Sequence, residues 1–170
     1  MDLRAALTGA IEFEREVRDH YAQCARDTAD PRGQRVFAAL AREEQGHADY
    51  LEARLAEWTA SGQVEAAELP NALPSLAWIR DAADRIAHST LAPAGAAGSA
   101  NLPELGFLNQ GLALEYRTRA FYLDLVAGLP AGQRGLFTPF LDIEDGHVML
   151  VQAEIDALVG HGQWFDFTEL

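Results

Sequence analysis

The chain carries one pattern twice. Glu14 is followed 30 residues later by Glu44-x-x-His47, and Glu115 is followed 29 residues later by Glu144-x-x-His147. A tyrosine stands seven residues after each lone glutamate, at Tyr21 and Tyr122. One E-x-x-H says little, because Glu and His fall three apart on many solvated helices. Two copies, each paired with an upstream Glu at nearly the same distance, constrain the fold far more tightly. The repeat also extends past these residues. Adding 100 carries Phe37, Glu44, Gly46, His47, Leu51 and Leu55 onto Phe137, Glu144, Gly146, His147, Val151 and Ile155, and adding 101 carries Leu7, Glu14, Arg18 and Tyr21 onto Leu108, Glu115, Arg119 and Tyr122. Two halves related by a pseudo-twofold axis are therefore expected.

Four long amphipathic stretches carry the pattern. From about Asp2 to Thr28, the residues Leu3, Leu7, Ala10, Glu14, Val17, Tyr21 and Cys24 recur at steps of four and three, which is the inward seam of a packed helix. Glu14 lies on that seam, and Glu12 and Glu16 lie off it. Asp30-Pro31 supplies a cap followed by proline at the first helical position, so a second helix is predicted to begin there. Its seam holds Phe37, Leu40, Glu44, His47, Leu51 and Trp58, with Glu43 pointing elsewhere. The third stretch, about Leu102 to Gly128, aligns Leu105, Leu108, Leu112, Glu115, Thr118, Tyr122 and Leu125. The fourth starts near Pro130 and aligns Phe137, Phe140, Glu144, His147, Val151 and Leu158.

Between the halves lie residues 63 to 101, with Pro70, Pro74, Pro93 and a low-complexity Ala/Gly/Pro/Ser run near residue 95. Helical spacing of Leu76, Ile79, Ala83 and Ile86 predicts a short extra helix from about Ser75 to Leu91. Short links within each half and one long link between them give an all-α four-helix bundle with a single crossover. With 170 residues, the whole chain is expected to form one domain.

A formal net charge of -13 argues against non-specific binding to nucleic acid or an anionic membrane surface, since both need a basic field. The single cysteine, Cys24, excludes an internal disulfide and a four-cysteine metal module in this chain. The N-terminal Met-Asp-Leu-Arg-Ala-Ala-Leu lacks the layout of a secretory signal, and no run approaches the ~20 apolar residues of a membrane span. A soluble, cytoplasmic protein is expected.

Four carboxylates carry the charge that balances two divalent cations, and two neutral imidazoles add donors without changing that sum. Without metal, burying these groups is costly, because carboxylates in a low-dielectric core repel and must take up protons. Spacing of i, i+3 sets Glu and His ~4.5 Å apart along the axis on one helical face, close enough to share an ion. A lone Glu from each remaining helix can then bridge the two ions. Oxygen and nitrogen donors without thiolate favour iron or manganese, and zinc also binds such sites.

Two single-Glu helices and two Glu-x-x-His helices match the known layout of ferritin-like di-metal carboxylate proteins. At these residues, over nearly its whole length, the chain resembles the rubrerythrin-like branch of the ferritin-like superfamily. The resemblance implies Glu14, Glu44, His47, Glu115, Glu144 and His147 as ligands of two iron ions, with Tyr21 and Tyr122 as hydrogen-bond donors to ligand carboxylates. It implies an oxidoreductase that reduces hydrogen peroxide or oxygen as Fe(II) is oxidised, or alternatively an iron storage or trafficking protein with ferroxidase activity. A homodimer or larger homo-oligomer goes with it. Two departures stand out. Peroxidase members carry a further ligand Glu three residues after the lone Glu of the third helix, where this chain has Thr118. They also carry a rubredoxin-like iron module, which one cysteine cannot build, so turnover needs an external electron donor such as a rubredoxin-like protein.

Other residues have structural readings. Arg18 and Arg119 repeat and pair either with site carboxylates or with ordinary surface charges. Gly46 and Gly146 cost their helices ~1 kcal/mol each relative to alanine, which points to close helix approach or solvent access. His20, His88 and His161 lack a partner pattern, Cys24 reads as a small buried side chain, and Trp164-Phe165-Asp166-Phe167 is expected to dock on the bundle or on another subunit.

Overall fold

The computed structural model describes residues 2–69, 71, 73–87, 103–165 and 167–169. Among them the fold is all-α, with no strand. The elements are α1 (Leu3–Asp27), α2 (Pro31–Ser61), α3 (Leu76–Ala87), α4 (Pro103–Gly128), α5 (Ala131–Arg134) and α6 (Thr138–His161), followed by a 3-10 turn at Phe167–Glu169. No helix is long and apolar enough to cross a membrane among these residues.

The helix ends follow from local chemistry. Asp2 caps α1 by accepting the Ala5 N–H at 2.8 Å, and Asp30 caps α2 by accepting the Arg32 N–H at 2.8 Å. Both E-x-x-H helices stop on a glycine in the left-handed region, Gly62 (φ 69°) and Gly162 (φ 66°), where a Cβ would be strained. These glycines are themselves 100 residues apart, so the repeat reaches the end of each helix.

The fourth stretch departs from expectation. It does not run unbroken from Pro130. The short α5 is followed by a turn over residues 135–137, and α6 begins only at Thr138 with Pro139 in its first turn. Proline lacks the N–H that would continue a helix and its ring collides with the carbonyl four residues earlier, so the chain must restart there. Phe137 remains fully buried in the turn, which preserves its match to Phe37. Of the expected extra helix, Leu76–Ala87 forms, and residues 88–91 lie outside the described residues, as do His88 and the low-complexity run.

α1 packs chiefly on α2 and α4 on α6, so each half is a helical hairpin, and α1 against α4 joins the halves. α3 lies on α6. Apolar side chains gather in two clusters. One holds Leu3, Leu7, Ile11, Leu51, Tyr122, Leu125, Phe137 and Phe140. The other holds Val17, Tyr21, Val36, Phe37, Leu40, Leu108, Val151 and Leu158. Glu14 sits on α1 between Ile11 of the first cluster and Val17 of the second, so a polar layer is enclosed between two apolar ones.

The C-terminal aromatics dock on their own chain. Trp164 meets Phe37 edge-on at 5.5 Å, Phe165 tilts against Trp78 at 6.0 Å, and the Phe165 N–H donates to buried Glu154 at 2.8 Å. Gly33 makes this possible, since a Cβ there would lie 2.4 Å from the Trp164 ring. Cys24 is buried, and burial, with the nearby Asp27 charge, pushes its thiol up to about 11. His20 contacts it at 3.5 Å and bonds the Phe107 carbonyl at 3.0 Å.

Candidate metal centre

Six side chains expected from the spacing meet in the polar layer. Glu14, His47, Glu115 and Glu144 have no exposed surface, and Glu44 and His147 are 1% exposed. His47 Nδ1 lies 3.3 Å from Glu14 Oε2 and 3.2 Å from Glu44 Oε2. His147 Nδ1 lies 2.9 Å from Glu44 Oε1 and 3.5 Å from Glu115 Oε2. The two imidazole rings stack with centroids 5.4 Å apart, which brings α2 and α6 together across the layer.

Two groups can each hold a metal ion: Glu44, His47 and His147, and Glu115, Glu144 and His147, with donor atoms within 4.8 Å of one another in each. The groups share His147. The carboxylate between the two histidines is Glu44, whereas the spacing gave Glu14 and Glu115 the bridging position. Glu14 approaches through His47 and stands in neither group.

The hydrogen bonding tests whether these residues suit a cation. Seven buried atoms of the layer lack a hydrogen-bond partner: Glu44 Oε1, His47 Nε2, Glu115 Oε2, both Glu144 oxygens and both His147 nitrogens. Some lie close to one another, as His147 Nδ1 and Glu44 Oε1 do at 2.9 Å, yet without the alignment of a hydrogen bond. Leaving such atoms unsatisfied costs ~1–3 kcal/mol apiece, more for charged groups. Coordination of a cation satisfies lone pairs that converge in this way, so the donor set fits metal.

Proton affinities reflect the same crowding. Burial pushes Glu14 up to about 7 against the pull of His47. Burial and repulsion from Glu14 and Glu115 raise Glu144 well above the carboxylate range. Burial would lower both imidazoles, but Glu14 and Glu44 bring His47 up to about 9, and the charges of Glu44 and Glu115 carry His147 well above the histidine range. Burial would likewise raise Glu44, yet His147 and His47 hold it below the usual carboxylate range. Protons and cations compete here for the same lone pairs.

The tyrosines cross between halves. Tyr21 of α1 donates to Glu115 Oε1 of α4 at 2.5 Å, and Tyr122 of α4 donates to Glu14 Oε1 of α1. Each hydroxyl occupies one carboxylate oxygen and leaves Oε2 facing a histidine. Burial first, then the adjacent carboxylate charge, pushes both phenols well above their ordinary range, so they stay donors. Gly111 admits Tyr21, because a Cβ there would lie 2.7 Å from the ring.

Glu43 corrects the sequence reading. It does not point away: it is 9% exposed, and its Oε2 lies 4.0 Å from His47 Nε2. The signal was its i, i+4 spacing to His47. Thr118 is buried and donates to the Leu114 carbonyl of its own helix at 3.1 Å, so it brings no carboxylate. The repeated arginines pair at the periphery, Arg18 with Asp19 and Gln45, and Arg119 with Asp145, and neither pairs with a ligand-type residue. A Cβ on Gly46 would meet nothing within 4 Å, which excludes close helix packing as its reason. Comparison with models of known protein families, with characterised proteins and with solved structures finds no match to this chain.

Proposed function

We propose that the chain is a ferritin-like four-helix bundle of rubrerythrin type, in which Glu14, Glu44, His47, Glu115, Glu144 and His147 hold two iron ions for the reduction of hydrogen peroxide or oxygen. The observation that carries this reading is the convergence of two buried, thiolate-free donor groups sharing His147. Such donors suit iron or manganese, and zinc binds them as well. Bound as Fe(II), the pair supplies two electrons, which with two protons take peroxide to two waters or oxygen to peroxide.

The protein's part is positioning. Tyr21 and Tyr122 fix the rotamers of Glu115 and Glu14 and hold their own protons. The apolar clusters on either side keep bulk water from the layer. Thr118 supplies no seventh ligand, and Cys24 alone cannot hold an electron-transfer iron, so re-reduction falls to an external donor such as a rubredoxin-like protein. A reducing cytoplasm suits both that donor and the free thiol.

The test is anaerobic loading with Fe(II), measurement of iron per chain, then rapid mixing with peroxide or oxygen. Two irons per chain with fast two-electron reduction support the proposal. Continued oxidation of many added Fe(II) per chain would instead establish the iron storage or trafficking alternative. Unchanged iron content in both Glu44→Ala and Glu144→Ala would overturn the site.

A further inference from the structure

The repeat matches Gly46 with Gly146 and Glu43 with Ile143, but the surroundings of these positions differ. Nothing lies within 4 Å of a Cβ built on Gly46. Gly146 instead belongs to the floor of a cavity of about 420 Å3, which it forms with Asp142, Ile143 and His147 of α6. Leu73, Pro74 and Ile79, from the connection and α3, make its roof. His147 of the metal centre, itself only 1% exposed, therefore lines this cavity. A side chain at residue 146 would take up space on that floor beside His147, and glycine leaves the space open.

The lining decides what can pass. Asp142 is solvent-exposed, whereas Ile143 and Ile79 are 8% and 1% exposed, so charge stands outside and aliphatic surface within. An ion would have to shed its hydration against such a wall at large cost, whereas a small uncharged molecule would not. In the other half, the position of Ile143 is taken by Glu43, whose carboxylate would attract cations beside His47. The two halves thus present unlike surfaces to their histidines.

We propose that the α6 cavity is the route by which a small uncharged oxidant, peroxide or dioxygen, reaches the metal centre, with Gly146 keeping it open and Ile143 making it selective against ions. The inference rests on the metal reading above. To test it, wild type, Gly146→Leu and Gly46→Leu are loaded anaerobically with Fe(II), their iron content is measured, and each is mixed with nitric oxide, a small uncharged probe followed by the absorbance of its iron adduct. With iron content unchanged, Gly146→Leu slows nitric oxide binding by about tenfold or more, equivalent to ~1.4 kcal/mol on the barrier, and Gly46→Leu leaves it unaltered. Equal rates in Gly146→Leu and wild type at equal iron content would overturn the proposal. A second measurement needs no metal: Ile143→Cys is treated with methyl methanethiosulfonate and with its trimethylammonium and sulfonate analogues, against wild type with its buried Cys24 as background. The uncharged reagent reacts faster than both charged ones, and equal rates would remove the selectivity. Should wild type take up no iron, the metal reading fails, and the thiol labelling alone decides whether the cavity admits uncharged molecules in preference to ions.

Discussion

The α1–α2 half and the α4–α6 half agree closely in the side chains that meet in the polar layer and disagree around it. Inside, each contributes a lone Glu, an E-x-x-H pair and a tyrosine that reaches across to the other half's Glu. Around that layer, buried Glu43 beside His47 becomes buried Ile143 near His147, the continuous α2 becomes α5, a turn and α6, and α3 packs chiefly on α6. Symmetry is kept where buried charge leaves little freedom, because a carboxylate without its partner is costly there. It lapses where solvent or another segment can take up the change. The centre is not fully symmetric either, since His147 serves both donor groups and His47 serves one.

That imbalance gives the largest expected effect. His147→Ala removes a donor from both groups and is expected to abolish metal binding. His47→Ala leaves Glu115, Glu144 and His147 in place and retains about half of the wild-type content, one ion of the pair. Elemental analysis after Fe(II) or Co(II) loading and desalting decides between them. Equal losses in the two variants would mean that the centre is functionally symmetric despite the placement of Glu44.

Much of this arrangement was legible in the sequence, for reasons that can be named. The i, i+3 and i, i+4 steps fix which face a residue occupies, so the seams, the ligand-type residues and the Asp30-Pro31 helix start could be read directly. A face does not fix reach. Spacing could not tell that Glu44, rather than Glu14 or Glu115, lies between the histidines, because that depends on side-chain rotamers and on which imidazole attracts which carboxylate. Glu43 was missed because the seam runs from Leu40 through Glu44, although its own i, i+4 step to His47 was visible. The late start of α6 was marked by Pro139, but the match of Phe137 to Phe37 favoured a longer helix. That Trp164 docks could be expected from its aromatic neighbours, but its seat over Gly33 joins segments far apart in sequence and leaves no local trace.

The next effect tests where the halves agree. Tyr21→Phe and Tyr122→Phe each leave a buried carboxylate oxygen without its donor, at a cost of ~1–3 kcal/mol. If the crossing bonds are equivalent, the two variants lose similar stability in urea titration. Unequal losses would locate a further asymmetry at Glu14 or Glu115.

Proton competition sets a smaller and graded effect. Glu14 titrates at about 7 in the folded metal-free protein and near 4.5 unfolded, so its contribution to stability is present below pH 4.5 and is lost as pH rises through 7. His47, at about 9 folded and 6.5 unfolded, contributes below pH 6.5 and loses that contribution as pH rises through 9. Metal-free protein should therefore weaken from pH 4.5 to 9, by on the order of 1 kcal/mol per pH unit while one group titrates. Glu44 acts oppositely, losing stability only as pH falls below 4.5. With metal bound, the trend reverses over neutral pH, because the ligands must be deprotonated. Thermal melts of both forms from pH 5 to 9 measure it, and parallel slopes would contradict a shared site for protons and metal.

The smallest effect belongs to the repeated arginines, which sit level with the centre but outside it. Arg119 and Asp145 are 36% and 43% exposed, and Arg18 turns to exposed Asp19 and to Gln45. Exposed pairs of this kind contribute little, because water screens the attraction and two side chains lose freedom to hold it. Arg18→Gln and Arg119→Gln should each change stability by less than about 1 kcal/mol and leave metal content unaltered. Thr118, next to Arg119, donates to its own helix backbone, so this hydrogen bond does not tie Arg119 to the donor groups. A loss of metal in Arg119→Gln alone would show that the outward difference between the halves reaches the centre after all, through Asp145 and its neighbour Glu144.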